Sequence, residues 1–289
     1  MRFAGRCLMA GLVVLGSVPA VAGCPDAAQV SAYVAEFAAK NPSRGFGKTI
    51  TEAEALCAQG RLIPELPPVL GPRVGYKALF TNPDSQKRFG VAGPAWGAMF
   101  AGQMVTSGAV VPANFGAKPR YEADFVVVVK DAALADARTP AEALAHISAL
   151  VPFVELPDLM IEGTPTGPEL IATNAAFRGG VMGAAILVDG AGADLAAALA
   201  TMQVTITEEI SGKELGREKG AVLMGHPLNA AIWLAGAVRA AGQPLKAGDL
   251  LSLGGFQGSA PTRPGTRITV RYHGLPGDPA VTVAFAGSP

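Results

Sequence analysis

The stretch Arg120-Tyr121-Glu122-Ala123-Asp124-Phe125-Val126-Val127-Val128-Val129-Lys130 sets two carboxylates at the mouth of a strongly β-prone apolar run. In a strand, side chains at i and i+2 leave the same face. Glu122 and Asp124 therefore point the same way, beside a segment that should be buried on at least one side. Two close carboxylates repel, and the remedies are a shared proton, a basic partner or a bound cation. A third acid, Glu155, lies in the apolar run Val151-Pro152-Phe153-Val154-Glu155-Leu156-Pro157. Three acids beside apolar runs suggest an all-oxygen site for a hard divalent ion. The competing reading leaves Glu122 and Asp124 on a solvated strand face and Glu155 at a turn. Lys77 is a single charge inside Gly75-Tyr76-Lys77-Ala78-Leu79-Phe80-Thr81. It either snorkels to water or, if buried, serves as proton donor or electrostatic clamp.

Outward from this run, short strands alternate with Gly/Pro turns, in keeping with 36 Gly and 23 Pro. Strands are expected at 74–80, 123–130, 152–156, 182–188, 202–207, 250–254, 267–272 and 280–285. Helices are expected at 26–40 after the cap Asp26, at 51–60 with capping-box character, at 140–150 and at 227–241. Residues 64–72 read as an extended proline link, and 189–200 as a loop or short helix. The fold class is α+β with predominantly β character, since no regular βαβ alternation appears. Residues 23–72 form an N-terminal helical segment and 73–289 the main domain.

Arg2 and Arg6, then an apolar core from Leu8 to Val18, then Ala20-Val21-Ala22 have the form of a signal sequence over residues 1–22. Export to the periplasm is the expectation, and no other segment approaches a charge-free span. Cys7 leaves with the signal. Cys24 and Cys57 remain as an even pair that could form a disulfide in an oxidising compartment. Val21-Ala22-Gly23-Cys24 also passes as a weak lipobox, so a lipid anchor at Cys24 is the rival. Formal charge is zero, with 23 basic and 23 acidic residues and no basic cluster, which gives nucleic-acid binding no electrostatic support. There is no G-x-S-x-G, no P-loop and no dinucleotide fingerprint. His146, His226 and His273 are too scattered for zinc.

Gly75-Tyr76-Lys77, Thr81, Gln86 and Phe89-Gly90-Val91 are followed in order by several longer motifs. These are Pro119-Arg120-Tyr121-Glu122-Ala123-Asp124, Val151-Pro152-Phe153-Val154-Glu155, Asn174-Ala175 and Gly225-His226-Pro227-Leu228-Asn229-Ala230-Ala231-Ile232-Trp233-Leu234. Leu245-Lys246-Ala247-Gly248-Asp249 closes the set. Over roughly residues 50–287 this order and spacing resembles the 2-keto-4-pentenoate hydratases and 4-oxalocrotonate decarboxylases of the fumarylacetoacetate hydrolase superfamily. Each motif is weak alone; the ordered set is specific.

The resemblance implies a β-rich mixed fold with peripheral helices, and Mg²⁺ or Mn²⁺ held by Glu122, Asp124 and Glu155. Lys77 would be catalytic, with Thr81, Asn174 and Phe177 against a small 2-oxo acid activated as its enolate. Hydration is the first expectation; decarboxylation, C–C hydrolysis or non-catalytic metal and carboxylate binding are the alternatives. It also implies a homo-oligomer. The departures are Asp124 for a second Glu, Ala95 in Pro94-Ala95-Trp96-Gly97 where the hydratases carry an acid, Ala176-Phe177-Arg178 for small hydroxyl residues, and the turn Gly254-Gly255-Phe256-Gln257-Gly258-Ser259.

Overall fold

The computed structural model describes residues 23–188 and 192–287. The expected signal sequence, residues 1–22, and the first residues of the 189–200 stretch lie outside them. The N-terminal part is helical: α1 (Ala27–Ala39) starts at the Asp26–Gln29 capping box, α2 (Glu52–Leu62) at the Thr51–Glu54 box, and α3 (Pro67–Leu70) follows a 3₁₀ turn. The proline-rich link is therefore not extended. Pro64 and Pro67 occupy first-turn positions, where a missing N–H costs nothing.

The body then runs β1 (Arg73–Leu79), α4 (Pro83–Phe89), β2 (Ala95–Phe100), β3 (Met104–Thr106), β4 (Val110–Pro112), β5 (Arg120–Val129), α5 (Pro140–Ala145) and β6 (Ile147–Pro157). After α6 (Gly167–Ala172) come β7 (Phe177–Met182), β8 (Ile186–Leu187), α7 (Gly192–Thr201), β9 (Gln203–Glu208) and β10 (Lys213–Lys219). The chain ends with α8 (Pro227–Ala240), β11 (Leu250–Ser252), β12 (Ala260–Pro261), β13 (Thr266–His273) and β14 (Ala280–Ala286). The helix expected over 140–150 stops at His146, and Ile147 opens a long strand. Leu144, Ile147 and Leu150 fit a helical stripe, but the β-branched and aromatic run that follows satisfies strand alternation better.

The larger sheet has the order β2-β1-β11-β5-β6-β7-β3, with β12 added to β5 and β8 to β6; the smaller is β10-β9-β13-β14-β4. Both are mixed: β1 runs parallel to β11, β3 to β7 and β14 to β4. The main core lies between them, where Phe125, Leu150 and Val154 meet Val270, Tyr272, Val283 and Phe285, and α8 adds Leu228, Leu234 and Val238. Each such fully buried aliphatic side chain contributes roughly 1.5–3 kcal/mol. The segment Gly220–Ala240 has the length and apolarity of a membrane span, yet half of its apolar window is buried in the fold. It is broken before Pro227 and serves as a core helix.

Cys24 and Cys57 form a disulfide, Cα–Cα 5.7 Å, that ties the segment leading into α1 to α2. Val30, Tyr33 and Phe37 of α1 pack with Leu62 on Ala98, Phe100, Met160 and Ile161. Arg178 fastens the same contact: it lies 4.0 Å over the Phe37 ring and donates to the Phe37 carbonyl and to Asp158.

Candidate active site

Strand pairing assembles the site. β5 and β6 are antiparallel with Glu122 directly opposite Glu155 and Asp124 opposite Phe153. β11, between β5 and β1, sets Ser252 beside Lys77 and Val126. Asp124 and Glu155 are 0% exposed and Lys77 is 1% exposed, so neither a solvated strand face nor a snorkelling lysine describes them. Lys77 Nζ donates to Glu155 Oε1 at 2.6 Å and to the Ala175 carbonyl at 3.2 Å. Glu155 Oε2 is buried with no hydrogen-bond partner.

Asp124 is held from behind. Its Oδ1 accepts from the Leu253 and Gly254 amides at 3.1 and 3.0 Å, and Oδ2 accepts from Ser252 Oγ at 2.5 Å. Gly254 has φ +99°, and a Cβ there would sit 2.3 Å from Thr81 Oγ1, so only glycine lets this turn reach both partners. From the smaller sheet, the Tyr272 hydroxyl donates to the Asp124 carbonyl and accepts from the Phe153 amide.

Three carboxyls face one ammonium. Burial works against the Lys77 charge, but Glu155, Glu122 and Asp124 outweigh it and keep the lysine protonated beyond its ordinary range. Burial pushes Glu155 up to about 8, against the pull of Lys77 and with the help of Glu122. Burial and then Glu155 push Asp124 up to about 7, despite its hydrogen bonds. Glu122 is raised chiefly by burial, with Lys77 opposing. The cluster therefore retains protons near neutrality, the sign of a site short of positive charge.

Above it opens a cavity of about 410 Å³. Lys77, Glu122 and Thr81 reach its wall, with Leu79, Phe80, Leu170 and Phe256 as apolar lining. Glu155 and Asp124 lie beneath the floor. Two expected substrate contacts are corrected. Asn174 turns its amide onto Ala98, accepting from its N–H at 2.7 Å and donating to its carbonyl at 2.9 Å. It thereby caps the open edge of β2. Phe177 points away from the cavity and packs with Met99, Val126, Val151 and Phe153. The cause is local: Asn174, Ala175 and Ala176 all have positive φ, 57°, 55° and 55°, which swings the chain around and offers the Ala175 carbonyl to Lys77. Ala95 is likewise off the cavity, in an apolar cluster with Phe80 and Ile171. Ser252 and Tyr272 were missed; each is an ordinary polar residue in a strand, distant in sequence from Asp124. Among the described residues, no three His, Cys, Asp or Glu side chains, Glu122, Asp124 and Glu155 included, are placed together so as to hold a metal ion.

A 2-keto-4-pentenoate hydratase of Burkholderia vietnamiensis is 31% identical over 182 residues, 63% of this chain and 67% of the relative. The chain belongs to the 2-keto-4-pentenoate hydratase family. Another relative, the TodF product hydratase of Pseudomonas putida, is 29% identical over 238 residues, covering 82% and 85% of the two chains. Among solved structures, the 4-oxalocrotonate decarboxylase from Pseudomonas putida G7 complexed with magnesium and adipate superposes with a TM-score of 0.75. It is 25% identical, covering 89% of this chain and 96% of that one. No family model matches the chain. The fold is that of the fumarylacetoacetate hydrolase superfamily, as the ordered motifs implied.

Proposed function

We propose that this protein is an exported, divalent-metal-dependent lyase that hydrates a small 2-oxo (2-hydroxydienoic) acid by way of its enolate. Glu155 carries the reading: one oxygen accepts from Lys77, and the other is buried against Glu122, with which it shares a proton when one of the two is protonated. A buried pair of carboxyls that needs a shared proton, in an oxygen-only set, fits a hard cation in the proton's place. Mg²⁺ or Mn²⁺ suits that chemistry. Glu122 and Glu155 would hold it, with Asp124 as the third carboxylate of the set. The magnesium complex of the decarboxylase relative supports the same choice.

A bound cation would supply Lewis-acid stabilisation of the charge that develops on the substrate's 2-oxygen. The chain's own groups do the rest. Lys77, fixed as an ammonium by Glu155, balances that charge and carries a transferable proton. Thr81 Oγ1 makes no side-chain hydrogen bond among the described residues and faces the substrate space. The apolar wall seats the hydrocarbon chain and excludes water. The Cys24–Cys57 bond supports an unanchored exported form over one lipidated at Cys24, because a bonded Sγ has no valence for a thioether.

One observation favours a second reading, a non-catalytic carboxylate binder: Ala95 is buried in an apolar cluster and presents no acid to the cavity. The test is to incubate the mature protein with Mg²⁺ and 2-hydroxypenta-2,4-dienoate and follow loss of the conjugated absorbance. Turnover supports hydration. Metal binding without turnover on this or related 2-oxo acids selects the binder.

A further inference from the structure

A short helix that ends against the edge of a sheet leaves carbonyls at its C-terminus, and backbone groups along the edge, without regular partners. α6 and β2 meet in this way, because β2 is an edge strand of the larger sheet and pairs with β1 alone. Two side-chain amides stand in for the missing strand. Asn174 serves Ala98. Gln59 of α2, 2% exposed, donates from Nε2 to the Trp96 carbonyl at 2.6 Å and to the Ile171 carbonyl, in the last turn of α6, at 3.0 Å. Gln59 thereby ties the edge strand to the helix just before the left-handed run Asn174-Ala175-Ala176. That run lies close on β2: a Cβ on Gly97 would stand 2.7 Å from the Asn174 carbonyl oxygen and 2.9 Å from Ala175 Cβ. Gly97 is also the register partner of Lys77. The missing side chain at Gly97 lets the Ala175 carbonyl come within 3.2 Å of Lys77 Nζ. Successive left-handed alanines are strained and persist only where their surroundings fix them. Ala55 and Ala58 of α2 join Leu170, Ile171 and Ala176 in one buried apolar cluster, but apolar contact has no direction. The two Gln59 hydrogen bonds supply it.

The geometry points to Gln59 as a positioning residue of the reaction site. Through the Trp96 and Ile171 carbonyls it fixes the turn that aims the Ala175 carbonyl at the Lys77 ammonium. The inference rests on the reading of Lys77 as the group that balances charge and carries a proton. With the turn loosened, Lys77 keeps Glu155 as a partner but loses the second acceptor that holds its ammonium in one place. Gln59 does not line the cavity, so its effect on turnover passes through the turn. A purely architectural role, docking α2 on α6, foresees lost stability and no change at Lys77.

The test compares wild type with Gln59→Met, which keeps the chain length and drops both donors, and with Thr51→Ala, which removes the N-cap of the same helix. Each protein is labelled with heavy nitrogen at lysine, and the magnetic resonance signal of the Lys77 ammonium, identified by its absence in Lys77→Met, is recorded without metal. Expected is a displaced or lost signal in folded Gln59→Met and an unchanged one in Thr51→Ala. In parallel, turnover of 2-hydroxypenta-2,4-dienoate at saturating Mg²⁺ should fall about tenfold to hundredfold in kcat for Gln59→Met, with KM nearly unchanged, and stay near wild type in Thr51→Ala. Gln59→Asn, one methylene too short to reach both carbonyls, replaces Gln59→Met if circular dichroism shows that variant unfolded. An unmoved Lys77 signal, an unchanged kcat, or equal effects in Thr51→Ala overturns the proposal. Wild type without turnover counts against hydration alone, and the Lys77 signal then decides the positioning role.

Discussion

Replacing Lys77 with methionine isolates the pairing at the floor of the site. The substitution keeps an unbranched chain of similar length but removes the donor to Glu155 Oε1 at 2.6 Å and to the Ala175 carbonyl at 3.2 Å. With Glu155 pushed up to about 8, its carboxyl is protonated at pH 6 in both proteins and ionised at pH 9 in wild type. At pH 6 the loss is that of buried acceptors left unpaired, about 1–3 kcal/mol. At pH 9 removal of one partner of a buried ion pair costs roughly 3–5 kcal/mol. The sign follows from linkage. A carboxyl whose folded pKa is raised gives stability that is complete below its unfolded pKa and lost as pH rises through the folded value. Without the pull of Lys77 that folded value climbs further, so Lys77→Met loses more stability at pH 9 than wild type does. Urea unfolding in chelator at pH 6 and pH 9 measures both losses, and Lys77→Met/Glu155→Gln should recover most of the pH 9 deficit. Equal losses at the two pH values, with no relief from Glu155→Gln, would show that Lys77 matters only as packing volume.

Mn²⁺ must displace protons from Glu155 and Asp124, so its affinity should rise from pH 6 to pH 8, by up to about tenfold per unit for each proton released. Calorimetry in two buffers of different ionisation enthalpy reads the released protons directly; a flat profile would contradict the protonated cluster. Asn174→Ala leaves the Ala98 N–H and carbonyl unpaired at the edge of β2 and should cost about 2–4 kcal/mol in urea unfolding. A loss near zero would mean the amide does not hold that edge. The exported mature protein should have an intact mass lighter by two hydrogens than the reduced chain; a diacylglycerol adduct on Cys24 would refute the Cys24–Cys57 bond.

What the sequence disclosed follows from which forces act locally. The Glu122-Ala123-Asp124 spacing is a period-2 signal that places both acids on one strand face, but burial of that face and of Lys77 stayed open, because β1 and β5 are buried on both faces rather than alternately. Glu122 and Glu155 needed one further fact, the β5–β6 register, which no local pattern carries. Asn174 and Phe177 were misassigned because three successive left-handed residues redirect the chain, and two of the three are alanines, which give no warning of positive φ. The α5–β6 junction blurred because Leu144, Ile147 and Leu150 satisfy both periods. Ser252 and Tyr272 act across 128 and 148 residues of sequence, so their contact with Asp124 belongs to the tertiary fold.

The most direct measurement is Mn²⁺ binding to wild type, Glu155→Gln and Glu218→Gln, followed by calorimetry or by the magnetic resonance signal of the free ion, with circular dichroism to confirm that each variant is folded. Expected is one Mn²⁺ per chain in wild type and in Glu218→Gln, and loss of that binding in a folded Glu155→Gln. Wild-type protein that binds no Mn²⁺, or Glu155→Gln that binds it as wild type does, would contradict the assignment of this carboxylate cluster as the metal site.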